Sequence, residues 1–206
     1  MMNASDHSII SYLHTVKESY KNTLPWLQSL RHKGLKPAVI TVDGEKSIIR
    51  AIQDTWPQIT IQRCLYHIQM EGSRWLRTHP KTQAARELKA ILSTLSSIKS
   101  FVDRDEFIEL FEHWINTYYL SIRKMPNTSI QFKDLKKTAR LIHTALPNMF
   151  HYLIDPKIPA TTNPLEGFFS HLKSDYHRHR GLSKEHRKHY LQWYCYFKNQ
   201  QKNNTF

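Results

Sequence analysis

The chain has 206 residues, 40% of them hydrophobic and 12% aromatic, which is enough to bury a real core and excludes a disordered polymer. Thirty lysines and arginines stand against 17 acids, a formal charge of +13 before any of 13 histidines is protonated, so a polyanion is the expected partner and nucleic acid the commonest one. No apolar run approaches the ~20 residues that span a bilayer, the first residues do not read as a signal peptide, and Cys64 and Cys195 alone cannot build a disulfide framework, so the expected location is the cytoplasm, with nucleoid association in a bacterium.

Residues 8–13 (SIISYL) are a short apolar run that reads as a strand. Residues 17–30 carry Leu24, Trp26, Leu27 and Leu30 as a helical stripe, closed by Gly34 as a left-handed cap. The β-branched run 37–44, bounded by Pro37 and Gly44, predicts a buried strand with Asp43 at its carboxyl end. Ile48, Ile49 and Ile52 predict a helix over 46–55, ended by Trp56-Pro57, and 59–64 alternates as a second strand. Helix, strand, helix, strand implies an α/β fold with a mainly parallel sheet, whose ligands gather beyond the carboxyl ends of the strands.

From residue 66 to about 150 only helical spacing remains, over 67–77, 81–98, 103–122 and 132–150, with Asp103 as the N-cap of the third. The stretch 160–188 reads ATTNPLEGFFSHLKSDYHRHRGLSKEHRK. Asn163 or Thr162 can accept hydrogen bonds from first-turn amides, and Pro164 is pre-set for the first helical position. Glu166 follows in the first turn, then Phe168, Phe169 and Leu172 as an apolar stripe. Beyond it Lys173, Arg178, Arg180, Lys184, Arg187 and Lys188 form a basic arm opposed only by Asp175 and Glu185. The polar tail from residue 199 is expected to fray. The resulting division is a first core part over 1–66, an all-helical insertion over 67–150, a second core part over 151–198 and a tail over 199–206.

Two carboxylates, one ending a strand and one starting a helix packed on the sheet, can share a divalent cation. Oxygen ligands open to phosphates favour magnesium or manganese, and two such ions serve an in-line phosphoryl transfer, which calls for a third acid as well. Taken singly, Asp43 is also an ordinary Asp-Gly turn residue and Glu166 an ordinary complement to a helix dipole. Cys64-x2-His67 has zinc spacing without a second pair nearby, so Cys64 reads as a small packed hydrophobe and His67 as the start of a helix near the site. His171, His177, His179, His186 and His189, interleaved with Arg and Lys, suit a phosphate-facing surface better than a metal. Trp193, Tyr194, Tyr196 and Phe197 are types that stack bases, but read more simply as the inward side of a last helix.

Four segments together, Ile40-Thr41-Val42-Asp43-Gly44, Ile61 to His67, Thr162 to Phe169 and His179-Arg180-Gly181-Leu182, resemble DDE-type transposases, most of all the bacterial insertion-sequence enzymes related to the Mutator-like superfamily. The resemblance covers about residues 24–199. It implies a partial RNase H-like core with a large all-helical insertion, Asp43 as the second catalytic Asp, Glu166 as the catalytic Glu, and Cys64 and His67 as the C-x-x-H pair of that family. It further implies magnesium-dependent cleavage of DNA at element ends, joining of the freed 3′ hydroxyl to target DNA, and a dimer, because two ends are handled together. The family's first Asp lies on an upstream strand. Here only Asp6 precedes Asp43 among aspartates, and no strand leads into it, so the expectation is the C-terminal part of such an enzyme, inactive alone. Two alternatives stand beside it: a catalytically dead DNA-binding protein derived from a transposase, and a zinc-bound helical interaction module using Cys64 and His67.

Overall fold

Two short parallel strands fix the layout. In the computed structural model, residues 1–203 are described except Val16, Asn127, Thr128 and Arg180, with the side chains of Lys184, Lys202 and Asn203 left aside. Helix α1 (Tyr20–His32) starts at Ser19, whose hydroxyl accepts the Asn22 amide, and ends at Gly34, where φ is +92° and the amide donates to the Arg31 carbonyl. Strand β1 (Val39–Val42) leads through α2 (Lys46–Thr55) to β2 (Thr60–Arg63), and the strands pair in parallel from Val39↔Thr60 to Val42↔Arg63.

Leu27, Val42, Ala51, Ile52, Trp56 and Ile61 form one apolar cluster under α1 and α2. The Trp56 indole donates to the Leu35 carbonyl and the Arg31 guanidinium to the Thr55 carbonyl, which lock the α1 end to the α2 end. β1 departs from the expectation of a buried strand. Only Val42 is buried and Val39 to Thr41 are half-exposed, because β1 pairs with β2 alone among the described residues. The run 8–13 departs further. Among the described residues it contributes one isolated antiparallel bridge, Met2↔Ile9, and no strand: the Ile10 and Ser11 amides both turn to the Met1 carbonyl, and Ile9 is held by the Asn199 side chain instead of a strand ladder.

The stretch after β2 is helical throughout: α3 (Leu65–Leu76), α4 (Gln83–Ser93), α5 (Phe101–Trp114), a π-turn at Ile115–Tyr119, α6 (Leu120–Lys124) and α7 (Ile130–Ala145). It closes on its own core, which includes Ile68, Leu88, Leu92, Phe107, Phe111, Trp114, Leu135, Ile142 and Met149. Gln62 ties this core to the sheet. Its fully buried amide donates to the carbonyls of Arg63 and Met149, both at 2.7 Å, and accepts the His151 amide at 3.0 Å.

The α5 start corrects the sequence expectation. Ser100 is the N-cap and Asp103 sits at the third helical position, where its carboxylate accepts the amides of Lys99 and Ser100 while the Ser100 hydroxyl accepts the Asp103 amide. The Lys99 amide above all, then Ser100, holds the Asp103 pKa below the ordinary aspartate value. A depressed folded pKa stabilises above the unfolded value and ceases to do so as pH falls through the folded one. The melting temperature of the native protein should therefore exceed that of Asp103→Asn at neutral pH, with the gap closing below about pH 4. A gap independent of pH would exclude the carboxylate charge as its source.

Helix α8 (Asn163–Arg178) and helix α9 (Lys184–Asn203) complete the chain. Leu172 is buried, Phe168 packs edge-on to Tyr194 at 5.7 Å, and Phe169 is 40% exposed, so the predicted stripe is covered only in part. On α9, Trp193, Tyr196 and Phe197 are 58%, 51% and 55% exposed, contrary to their reading as an inward side. Among the described residues of that helix only Cys195 is buried, and the three rings pack on one another instead, Trp193 stacked with Phe197 and Tyr196 edge-on to both. Nor does the helix fray at 199. The Asn199 side chain accepts the Ile9 amide and donates to the Ile9 carbonyl, a two-bond clamp that carries α9 on to Asn203.

Candidate functional site

The carboxyl ends of β1 and β2 gather the candidate residues. Asp43 follows β1 directly. Its Oδ1 accepts the Glu45 amide at 3.1 Å, and Gly44 adopts φ +110°, a conformation that favours glycine. The same glycine leaves room for Arg63, the last residue of β2. A Cβ at position 44 would lie 1.9 Å from Arg63 Nη2, which donates to the Asp43 carbonyl at 3.3 Å. Arg63 is buried, and its Nε has no hydrogen-bond partner among the described residues. Burial lowers its pKa and Asp43 opposes that, but a guanidinium stays charged in any protein environment.

Cys64 comes next. Its amide donates to the Val42 carbonyl at 2.8 Å, so Asp43 and Cys64 occupy neighbouring positions at the end of the parallel pair. Cys64 is also the N-cap residue of α3, which places His67 in the first turn. The returning segment crosses the same edge: the Thr41 hydroxyl donates to the Pro159 carbonyl, and the Leu65 amide to the Ala160 carbonyl. Thr162 then caps α8 without bonding its free amides. Its hydroxyl lies 2.9 Å from Glu166 Oε1 and 3.3 Å from Cys64 Sγ, and its amide donates to the same sulfur at 3.3 Å.

Glu166 thus meets Cys64 and His67 directly. His67 Nδ1 is 3.2 Å from Cys64 Sγ and 3.5 Å from Glu166 Oε1, and the three donor atoms all lie within 4.8 Å of one another. Cys64 is completely buried, as expected of a packed hydrophobe, while the His67 and Glu166 side chains are 32% and 43% exposed. Asp43 is not a member of this cluster; its relation to Glu166 runs through the backbone of Val42 and Cys64. Sequence reasoning passed over Thr162 as a partner of the acid, took Gly44 only as a turn residue, and gave Arg63 no role of its own. The signal for Arg63 was a cation ending a β-branched run one residue before the C-x-x-H pair.

Three helices begin at this edge, α2 after Glu45, α3 after Cys64 and α8 after Thr162, and each directs the positive end of its dipole toward the strand termini. Of the basic arm, Lys173, Arg187 and Lys188 are exposed. Arg187 lies over the Tyr176 ring at 5.3 Å, and Arg178 pairs with Asp175 at 3.5 Å. Arg180 and the Lys184 side chain lie outside the described residues. Among the described residues no helix is long and apolar enough to cross a membrane.

A family model described as transposase, Mutator family, matches residues 3–175. Neither the curated proteins nor the solved structures give a match. The matched span holds Asp43, Cys64, His67, Glu166 and Lys173, and ends before Arg178 and α9. With most of its length covered, the chain belongs to the Mutator family of transposases.

Proposed function

We propose that the chain performs the DNA chemistry of a DDE-type transposase on an RNase H-like core: metal-dependent cleavage at the ends of a mobile element and strand transfer to target DNA. The observation that carries this is the placement of Asp43 and Glu166 at one sheet edge, the first through β1, the second through its contacts to Thr162 and to His67 beside Cys64. Residues 67–150 are then a helical insertion between two core parts, the first over 1–66 and the second from 151 through the end of α9.

Asp43 and Glu166 are the residues that would hold magnesium or manganese. Two carboxylates fit such an ion, which keeps several waters and completes its shell with substrate phosphates. When bound, it supplies Lewis acidity and an activated oxygen nucleophile. The chain's own contributions are positional and electrostatic. Thr162 and His67 orient Glu166, while the Arg63 charge and three helix N-termini offset the negative charge of a phosphate at the strand ends. Lys173, Arg178, Arg180, Lys184, Arg187 and Lys188 extend a phosphate-binding surface from α8 into α9. The product acts as a dimer in association with the nucleoid, since two element ends are handled together.

The charge of +13 favours a second reading as well, a DNA-binding protein that keeps the fold and charge without cutting, since phosphate binding needs the cations and not the acids. Incubation with DNA carrying the element ends separates the two. Cleavage that requires magnesium and stops with EDTA supports the enzyme; salt-sensitive binding without cleavage supports the second reading, and cleavage indifferent to EDTA removes the metal from the mechanism.

A further inference from the structure

Cys64, His67 and Glu166 turn a sulfur, a nitrogen and an oxygen toward one point. Sγ and Nδ1 are 3.2 Å apart, and Nδ1 and Oε1 are 3.5 Å apart. Around a tetrahedral zinc ion, bonds of about 2.0–2.3 Å place neighbouring donors about 3.3–3.6 Å from each other. The two edges that meet at Nδ1 lie within a few tenths of an ångström of these spacings, and all three donors are within 4.8 Å of one another. We propose that Cys64 Sγ, His67 Nδ1 and Glu166 Oε1 form a site for a zinc-type divalent transition-metal ion, distinct in chemistry from the magnesium expected at the two carboxylates.

The donor set decides the kind of ion. Magnesium and calcium take oxygen ligands, whereas a thiolate beside an imidazole selects zinc and its softer neighbours. Three protein ligands, two of them partly open to solvent, leave a fourth position for water or a phosphate oxygen, the arrangement of a reactive rather than a purely structural zinc site. An outer layer is also in place. The Thr162 amide donates to Cys64 Sγ at 3.3 Å, which fixes the sulfur in place, and the Thr162 hydroxyl orients the Glu166 carboxylate. Thr162 and His67 both contact Oε1 of Glu166. Sequence spacing alone found a C-x2-H pair without a partner; the fold brings the third ligand to it from the start of α8.

Cobalt is the probe, because a thiolate on Co(II) gives an intense near-ultraviolet charge-transfer band that imidazoles and carboxylates do not. The purified protein should take up one equivalent of Co(II) with that band, and zinc should displace it while excess magnesium does not. His67→Ala and Glu166→Gln should each weaken the site by more than about tenfold, and Thr162→Val by about tenfold. Cys64→Ser should abolish the band and Cys195→Ser should leave it intact. If Cys64→Ser does not fold, His67→Ala and Glu166→Gln, whose parent side chains are partly exposed, carry the test. Uptake without the thiolate band overturns the site, since 13 histidines offer other places for cobalt. A band unchanged in His67→Ala and Glu166→Gln overturns it too. The spectrum reads the Cys64 sulfur and the cleavage assay reads DNA, so failure of one is told apart from failure of the other.

Discussion

On the proposed mechanism, replacing Glu166 with Gln should lower magnesium-dependent DNA cleavage by about 10²–10³-fold or more, equivalent to roughly 3–4 kcal/mol of lost transition-state stabilisation. Glutamine keeps the length and planarity of the side chain, and its carbonyl oxygen still accepts the Thr162 hydroxyl that now lies 2.9 Å from Oε1. What disappears is the negative charge that would hold a divalent cation. The fold is hardly disturbed, because the side chain is 43% exposed. Stability should therefore stay within about 0.5 kcal/mol of the native protein, the usual range for surface changes. Cleavage rates at fixed magnesium, paired with thermal melts of the same preparations, make the comparison. A variant that cuts at the native rate takes Glu166 out of the mechanism, and Asp43→Asn serves as the matching test for the other acid.

The largest stability effect is expected at Trp114. The indole is 1% exposed at the centre of the helical core, stacks on Phe111 at 6.5 Å between ring centroids, and donates from Nε1 to the Ala84 carbonyl at 2.8 Å. Trp114→Ala leaves a cavity that α4, α5 and the π-turn cannot all collapse to fill, at about 3–5 kcal/mol. That is a large part of the roughly 5–15 kcal/mol that holds a domain together. For a chain of this size it lowers the melting temperature by about 6–20 °C. Trp193→Ala is the control. That ring is 58% exposed and should cost less than about 0.5 kcal/mol. Calorimetry on both variants decides the matter, and equal losses would contradict the burial difference between them.

Elements with strong local signals were legible in the sequence. Ile48, Ile49 and Ile52 mark α2 from Lys46 to Thr55, and the β-branched runs mark β1 and β2 with their parallel pairing. The start of α5 was misplaced by three residues, because the serine and aspartate of a capping box each bond the other's backbone and either reads as the cap. Residues 8–13 have the composition of a strand, yet a strand needs a neighbouring strand in register; here the run bonds to the Met1 backbone and the Asn199 side chain, and Met2↔Ile9 is the one isolated bridge among the described residues. Trp193, Tyr196 and Phe197 follow a helical stripe, but periodicity cannot reveal that the face meets solvent. At the site, Asp43 was readable as the end of a strand and Glu166 as the start of a helix. The meeting of Glu166 with Cys64 and His67 was not. It depends on where the chain lands after a long helical excursion, and that is set by the packing of α3 to α7 and by the anchors at Gln62 and Ala160.

Those anchors carry an evolutionary consequence. The chain departs from the sheet at Leu65 and comes back at Ala160, and the backbone groups of these two residues are bonded to each other at 3.0 Å. Everything between forms a closed excursion whose two feet stand side by side. Such an excursion can be lengthened, trimmed or exchanged for another module with equally close ends, while the strand ends at its base keep their pairing. Diversification of what this protein touches can thus proceed without renegotiating the chemistry.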